Sequence, residues 1–157
     1  MAELKIPQLP ADMAHQQALA AMGGYYAAAI RALVDKFGSE EALKILHPYL
    51  KESGKEVGAM AEMMGFTSKD AIAIASLIHL FEEQVLLVAG KPTEVSPDRV
   101  VKEMTKCPFQ DFAPEFCLAF LSLCEGICEA INPEYKWTLP KFIPKGDLIC
   151  QWIVEKK

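Results

Sequence analysis

The amino-acid sequence lacks a leader-like N-terminus and any block of basic residues. Glu3 and two prolines lie within the first ten positions, where a secretory leader needs a basic start followed by an apolar run. The sixteen Lys and Arg residues are spread along the chain, and the net charge is −5. These absences predict a cytoplasmic protein that does not bind nucleic acid.

The sequence also lacks an uninterrupted apolar run that could cross a bilayer. Its longest apolar stretch, residues 71–89, is interrupted by polar side chains that would be costly in a membrane core, namely Ser76, His79, Glu82, Glu83 and Gln84. This stretch therefore predicts a buried helix and no membrane contact.

Five cysteines are present, but there is no CxxC pair and no ExxH motif. An odd number of cysteines without an export signal predicts reduced thiols. Structural zinc sites need four ligands, usually introduced by a CxxC pair, and diiron bundles need ExxH motifs. No motif demands a cofactor and we assign no metal ligands, although a thiolate-bound metal stays an open alternative.

The length of 157 residues, with 52% apolar and 24% charged residues, predicts one globular domain over residues 1–157. Helical spacing and capping residues predict a helical layer at about residues 11–90, made of helices at 11–37, at 39–64 and from Thr67 or Ser68 to Gly90. Pro48 is expected to kink or split the second helix.

The pattern changes after Lys91, where Pro92, Ser96 and Pro97 predict a turn. The remaining segments, at about 91–157, read in order as a strand, a helix and a hairpin with two arms: Arg99–Cys107, Pro114–Ile131, Tyr135–Phe142 and Leu148–Glu155. The fold class is therefore predicted to be α+β, with N-terminal helices packed on a mainly antiparallel sheet.

The cysteines of the C-terminal third are the main candidates for chemistry. Cys117, Cys124 and Cys128 share one face of the predicted helix, and packing alone is the favoured interpretation of Cys117 and Cys128. Cys150 shares a strand face with three apolar residues, Leu148, Trp152 and Val154, so this face is expected to point at the helices.

Cys107 ends the first predicted strand directly before Pro108, where side chains are often accessible. A reactive thiol needs a lowered pKa, which the adjacent Lys106 and the start of the next helix could provide. An unreactive cysteine at a strand end is an equally good interpretation.

Polar and aromatic side chains in the helical layer are the ligand-binding candidates. His79 with Glu82 and Glu83 could act as base and orienter or line a ligand cavity, or could simply face solvent. Gly23 and Gly24 precede Tyr25 and Tyr26, whose hydroxyls could lie at a cavity wall together with Trp152. Gly54 and Gly58 indicate close helix packing in preference to close approach of a ligand.

The sequence resembles the L-2-amino-thiazoline-4-carboxylic acid hydrolase family and, more distantly, small-molecule-binding domains of the vinyl-reductase type. Four segments carry the resemblance: Phe37–Leu43, Lys106–Pro108, Cys124–Pro133 and Gly146–Trp152. The resemblance implies helices over an antiparallel sheet, cysteines at the family's positions in Cys107, Cys124 and Cys150, and hydrolytic opening of a thiazoline ring. Cys117 and Cys128 lie outside that pattern.

Two functions follow as hypotheses. The first is a cysteine-dependent hydrolase acting on a C–N bond of a cyclic amidine or thiazoline-like substrate, with Cys107 as nucleophile and Cys124 and Cys150 positioning or tuning it. The alternative is a non-catalytic domain that holds a small molecule or cofactor between the helices and the sheet. A third possibility is an interaction or scaffold protein that uses this fold to form a homodimer, which long exposed apolar helices such as the first would support.

Overall fold

The computed structural model describes residues 8–157. Its elements, in chain order, are α1 (Ala11–Phe37), α2 (Ser39–Ala59), α3 (Ala71–Leu80) with a following π turn (Phe81–Val85), β1 (Ala89–Val95), β2 (Arg99–Lys106), α4 (Pro114–Ile131), β3 (Tyr135–Lys141), a 3-10 turn (Ile143–Lys145) and β4 (Cys150–Lys156). The sheet is antiparallel throughout, in the order β1-β2-β4-β3. The predicted α+β class is confirmed.

The helices and the sheet are stacked in three layers. Helices α3 and α4 pack on the sheet, α2 packs on α4, and α1 lies on α2 and α4. The core is made of apolar side chains from α3, α4 and the central strands, among them Ile74, Leu77, Ile127, Trp152 and Val154. Within residues 8–157, no helix has both the length and the apolar character needed to span a bilayer.

Helices α1 and α4 begin and end at the predicted residues. Gly38 ends α1 with φ +80, a conformation that side chains with a Cβ rarely adopt, and its N–H is donated to the carbonyl of Val34. Pro114 begins α4, where its missing N–H is not needed.

Helix α2 crosses α4 where both helices carry glycine. A Cβ added to Gly54 would lie 1.9 Å from the Leu123 carbonyl oxygen, and one added to Gly126 would lie 2.0 Å from that of Lys51. Close helix packing is therefore the role of Gly54, and Gly58 likewise meets the α4 backbone at Ile127. Pro48 lies inside α2 without splitting it, but the helix ends at Ala59, short of the predicted residue 64.

The predicted third helix is too long at both ends. Asp70 caps α3 by accepting the N–H of Ala73 at 2.9 Å. The regular helix stops at Leu80 and the π turn follows it. Leu87, which has φ +55, then redirects the chain into β1. Strand β1 was not predicted because Pro92 indicates a turn, whereas an edge strand tolerates proline.

The predicted hairpin is present as β3 and β4, which pair from Tyr135 opposite Lys156 onwards. Pairing shifts in register between Thr138 and Lys141, around Pro140, as expected for an irregular edge strand. The expectation that Leu148 faces the core is wrong: this side chain is 96% exposed. The chain joins the sheet only at Cys150, so Leu148 belongs to the reversal and not to the strand.

Candidate ligand-binding site

A cavity of about 240 Å³ lies between the helices and the sheet. Its wall is formed by α4, by the π turn and the segment after it, by the inner faces of β2, β3 and β4, and by the loop that follows β2. Among the described residues that line it, Glu82 is the only charged one, and nearly all the others are apolar or aromatic. The cavity is therefore suited to an apolar molecule with one polar group.

Four of the five cysteines line this cavity: Cys107, Cys117, Cys124 and Cys150. The structure thus brings together the three predicted site cysteines from β4, α4 and the end of β2, and it adds Cys117. Cys128, one helical turn beyond Cys124, is buried in the core as predicted.

Burial raises the pKa of every cavity thiol. It raises the pKa of Cys107 to about 11 and that of Cys117 to about 12, and it raises the pKa values of Cys124 and Cys150 as well. The backbone N–H of Phe109 donates to Cys107 Sγ at 3.4 Å, which favours the thiolate but is outweighed by desolvation. The expected activation of Cys107 by Lys106 and the start of α4 is therefore absent from this arrangement.

The polar end of the cavity is a buried hydrogen-bonded network. Glu82 Oε1 accepts the indole N–H of Trp152 at 2.9 Å, and Glu82 Oε2 accepts from Lys102 Nζ at 2.8 Å. Lys102 Nζ also lies 2.6 Å from His79 Nδ1, and His79 Nε2 lies 3.4 Å from Glu83. Because Lys102 can only donate, His79 must carry its proton on Nε2, which faces Glu83.

This network connects the cavity to the surface. Lys102 is fully buried, whereas Glu83 is about half exposed. Burial raises the pKa of Glu82, and the nearby ammonium of Lys102 and the hydrogen bonds from Lys102 and Trp152 partly oppose that effect. The predicted patch of His79 and Glu83 therefore reaches the cavity indirectly, through Lys102 and Glu82.

The remaining predicted ligand residues are divided between cavity and surface. Trp152 lines the cavity. Tyr26 packs edge-on against Phe116 and Phe120 behind the wall, and burial raises the pKa of its hydroxyl to about 12. Tyr25 is 71% exposed on the outer face of α1, because Gly23 and Tyr26 occupy the inner face, and so it does not contribute to this cavity.

Sequence reasoning missed two residues of the site, Lys102 and Trp137. Trp137 lines the cavity, and its buried indole N–H has no hydrogen-bond partner in the part of the chain that the structure describes. The alternation of Tyr135, Trp137 and Leu139 along the hairpin arm could have placed Trp137 on the inner face. Among residues 8–157, no group of three or more His, Cys, Asp or Glu side chains is arranged to hold a metal ion.

Comparisons with known proteins agree with the resemblance seen in the sequence. One similar solved structure is the phenol-responsive sensory domain of the transcription activator PoxR with phenol, with TM-score 0.63 and 16% identity over 88% of this chain and 74% of that one. Another is a trafficking protein particle complex subunit 3 from Naegleria fowleri covalently bound to palmitic acid, with TM-score 0.59 and 14% identity over 90% and 96%. Both show the fold alone.

No curated protein sequence matches the chain. The sequence model of the L-2-amino-thiazoline-4-carboxylic acid hydrolase family, in contrast, matches residues 14–154, which is most of its length. The chain belongs to the L-2-amino-thiazoline-4-carboxylic acid hydrolase family.

Proposed function

We propose that this protein binds a small, mainly apolar molecule in the cavity between its helices and its sheet. The observation that carries the proposal is the cavity itself, with a volume of about 240 Å³ and a nearly apolar wall. A cavity of roughly 150 Å³ with a similar wall binds benzene, so there is room here for a substituted ring. The function is binding, with Glu82 as the polar contact.

The state of the thiols favours binding over cysteine chemistry. Nucleophilic attack requires the thiolate, and burial, which raises the pKa of Cys107 to about 11, favours the protonated thiol at neutral pH. An aminothiazoline carboxylate would also have to bury its own carboxylate against a wall that is almost entirely apolar. Both features disfavour this cavity as a site for that substrate.

The ligands named for the two similar structures support the proposal. One structure contains phenol and the other is covalently bound to palmitic acid, and both molecules are small and largely apolar. A cavity between helices and sheet would serve the same kind of ligand in this chain.

The test uses the chain's own fluorescence. The protein has two tryptophans, Trp137 and Trp152, and both line the cavity. Titration with p-xylene is expected to give a saturable change in tryptophan emission and an upward shift of the melting temperature. A Cys117→Phe variant, which fills the cavity, is expected to lose both effects. Absence of a saturable change and of a melting shift in the wild type would contradict the proposal.

A second candidate function is hydrolysis of a C–N bond in a thiazoline-like ring, favoured by the family match over residues 14–154. Cys107 would be the nucleophile, and Cys124 and Cys150 would position it. Incubation with aminothiazoline carboxylate is then expected to give turnover that is lost in Cys107→Ser and retained in Cys128→Ala, which alters a core cysteine. No turnover by the wild type would reject this candidate.

The homodimer expected from the sequence stays a prediction. Helix α1 buries only Gly23 and Ile30 along its described length, and it exposes Met13, Met22 and Tyr25. Sedimentation of the full chain at micromolar concentration distinguishes a dimer from a monomer, and a monomer would contradict the prediction.

A further inference from the structure

Glu82 has hydrogen-bonding capacity left over. A carboxylate can accept about four hydrogen bonds. In the described structure its donors are two groups, Lys102 Nζ and Trp152 Nε1, with the indole shared between both oxygens at 2.9 and 3.1 Å. Since Glu82 lines the cavity, a molecule bound there can donate a hydrogen bond to it.

The position of Glu82 is fixed by its neighbours. It lies on the π turn, a local widening of a helix that re-aims side chains and is frequent at functional sites. Trp152 and Lys102 come from adjacent strands and face each other across the β2-β4 pair. The carboxylate is therefore held by the sheet and is already in place before a ligand arrives.

The charge of Glu82 is already balanced. Lys102 Nζ lies 2.8 Å from Glu82 Oε2 and is fully buried. A ligand ammonium beside Glu82 would also lie close to this lysine and would be repelled by it, whereas a neutral donor would not. The site therefore favours a neutral donor over a cation.

Trp137 lines the cavity, but its indole nitrogen has almost no accessible surface. Its indole N–H is buried and has no hydrogen-bond partner among the described residues, although buried donors in folded proteins are nearly always paired. Glu82 is therefore the group of the wall that a bound molecule can reach with a hydrogen bond, and as a carboxylate it accepts. A hydroxyl group is the simplest neutral group that can donate to it.

We infer that the cavity selects hydroxyl-bearing apolar molecules, alcohols or phenols with a compact hydrocarbon body, and that Glu82 is the residue that recognises the hydroxyl. This inference rests on the proposed binding function and names its ligand class. Lys102 and Trp152 act as positioning residues because they hold Glu82 and neutralise it. His79 and Glu83 connect Lys102 to the surface.

The test compares p-cresol with p-xylene, two molecules of nearly the same size that differ by a hydroxyl and a methyl group. Tryptophan emission of the full chain gives both dissociation constants. A hydrogen bond to a charged acceptor is expected to make p-cresol bind about tenfold or more tightly than p-xylene. Benzylamine, a cation at neutral pH, is expected to bind more weakly than p-cresol.

Two variants assign the preference to its residue. Glu82→Gln is expected to reduce the ratio of the two constants to near one, whereas Glu56→Gln, which changes an exposed carboxylate of α2 outside the network, should leave the ratio unchanged. Should Glu82→Gln not fold, the ratio measured for the wild type still tests the inference. Trp152→Phe, which removes a donor that holds Glu82 and keeps Trp137 as reporter, is then expected to lower that ratio.

The outcomes separate the inference from the function on which it rests. Equal affinity for p-cresol and p-xylene overturns the inference and leaves the binding function standing. Failure of both molecules to bind overturns both. A preference that persists in Glu82→Gln, or tighter binding of benzylamine than of p-cresol, overturns the role given to Glu82.

Discussion

The glycine contact between α2 and α4 predicts a large effect from a single methyl group. Gly54 of α2 faces α4 so closely that a Cβ would lie 1.9 Å from the carbonyl oxygen of Leu123 and 3.1 Å from Cα of Gly126. Both atoms belong to the α4 backbone and cannot rotate away. In a Gly54→Ala variant the two helices must therefore separate locally.

The size of the effect follows from two opposing terms. Alanine is about 1 kcal/mol more favourable than glycine inside a helix, which alone would stabilise the variant. Forcing an extra carbon into a packed contact costs about 1–3 kcal/mol, and more where nothing can yield. Because the added Cβ would lie 1.9 Å from backbone, we expect the packing cost of Gly54→Ala to be at or above the upper end of that range. We expect a net loss of about 2 kcal/mol in the free energy of unfolding.

The assay is urea unfolding followed by circular dichroism, with Gly24→Ala as the matched control. Gly24 is also a glycine within a helix, but a Cβ there meets no atom within 4 Å, so its substitution should raise stability by up to about 1 kcal/mol. Since α4 forms much of the cavity wall, Gly54→Ala should also weaken p-xylene binding. A Gly54→Ala variant as stable as the wild type would refute the reasoning.

Three further predictions follow from charge and burial. Lys102→Met removes the cation beside the buried Glu82 and should lower the free energy of unfolding by about 3–5 kcal/mol. The loss should be larger at pH 8 than at pH 5, because the carboxyl is fully ionised in the unfolded chain at pH 8 but resists ionisation when it is buried without its cation. Urea unfolding at both pH values checks this. Hydrogen bonds from two α2 lysines lower the pKa of Glu129 to about 2, so the stability difference between wild type and Glu129→Gln should vanish as pH falls from 4.5 towards 2. Cys107, with its raised pKa, should resist iodoacetamide at pH 7 in the native state and react after unfolding, as read by mass spectrometry.

The parts of the fold predicted correctly are those whose ends carry local signals. Gly38 marks the boundary between α1 and α2, and Pro114 marks the start of α4. The π turn and strand β1 carry no such signal. Residues 71–89 are apolar enough to continue as one helix, and only packing against the sheet determines that the helix ends near Leu80. Local signals therefore predict the boundaries that glycine and proline mark, and they miss those that tertiary contacts determine.

The cysteine side of the site could be predicted because periodicity determines which side chains share a face. Helical and strand spacings indicate that Cys124 and Cys150 lie on facing surfaces, and both line the cavity. The prediction for Cys107 rests on its place at a strand end and on the family resemblance. Their ionisation could not be predicted, because desolvation depends on what surrounds each thiol. Lys106 is adjacent to Cys107 in sequence but does not lower its pKa, since burial is the larger effect.

Lys102 shows how the polar end could be found by comparing two elements together. In β2, Lys102 and Glu103 are adjacent and must point to opposite faces, so one charge had to face the helices. The apolar helix carries a carboxylate, Glu82, at its inner side, and a buried carboxylate requires a cationic partner. Of the two candidates only the lysine meets that requirement. Gly90, on the neighbouring strand β1, leaves room for the lysine, because a Cβ there would lie 3.1 Å from Lys102 Cε.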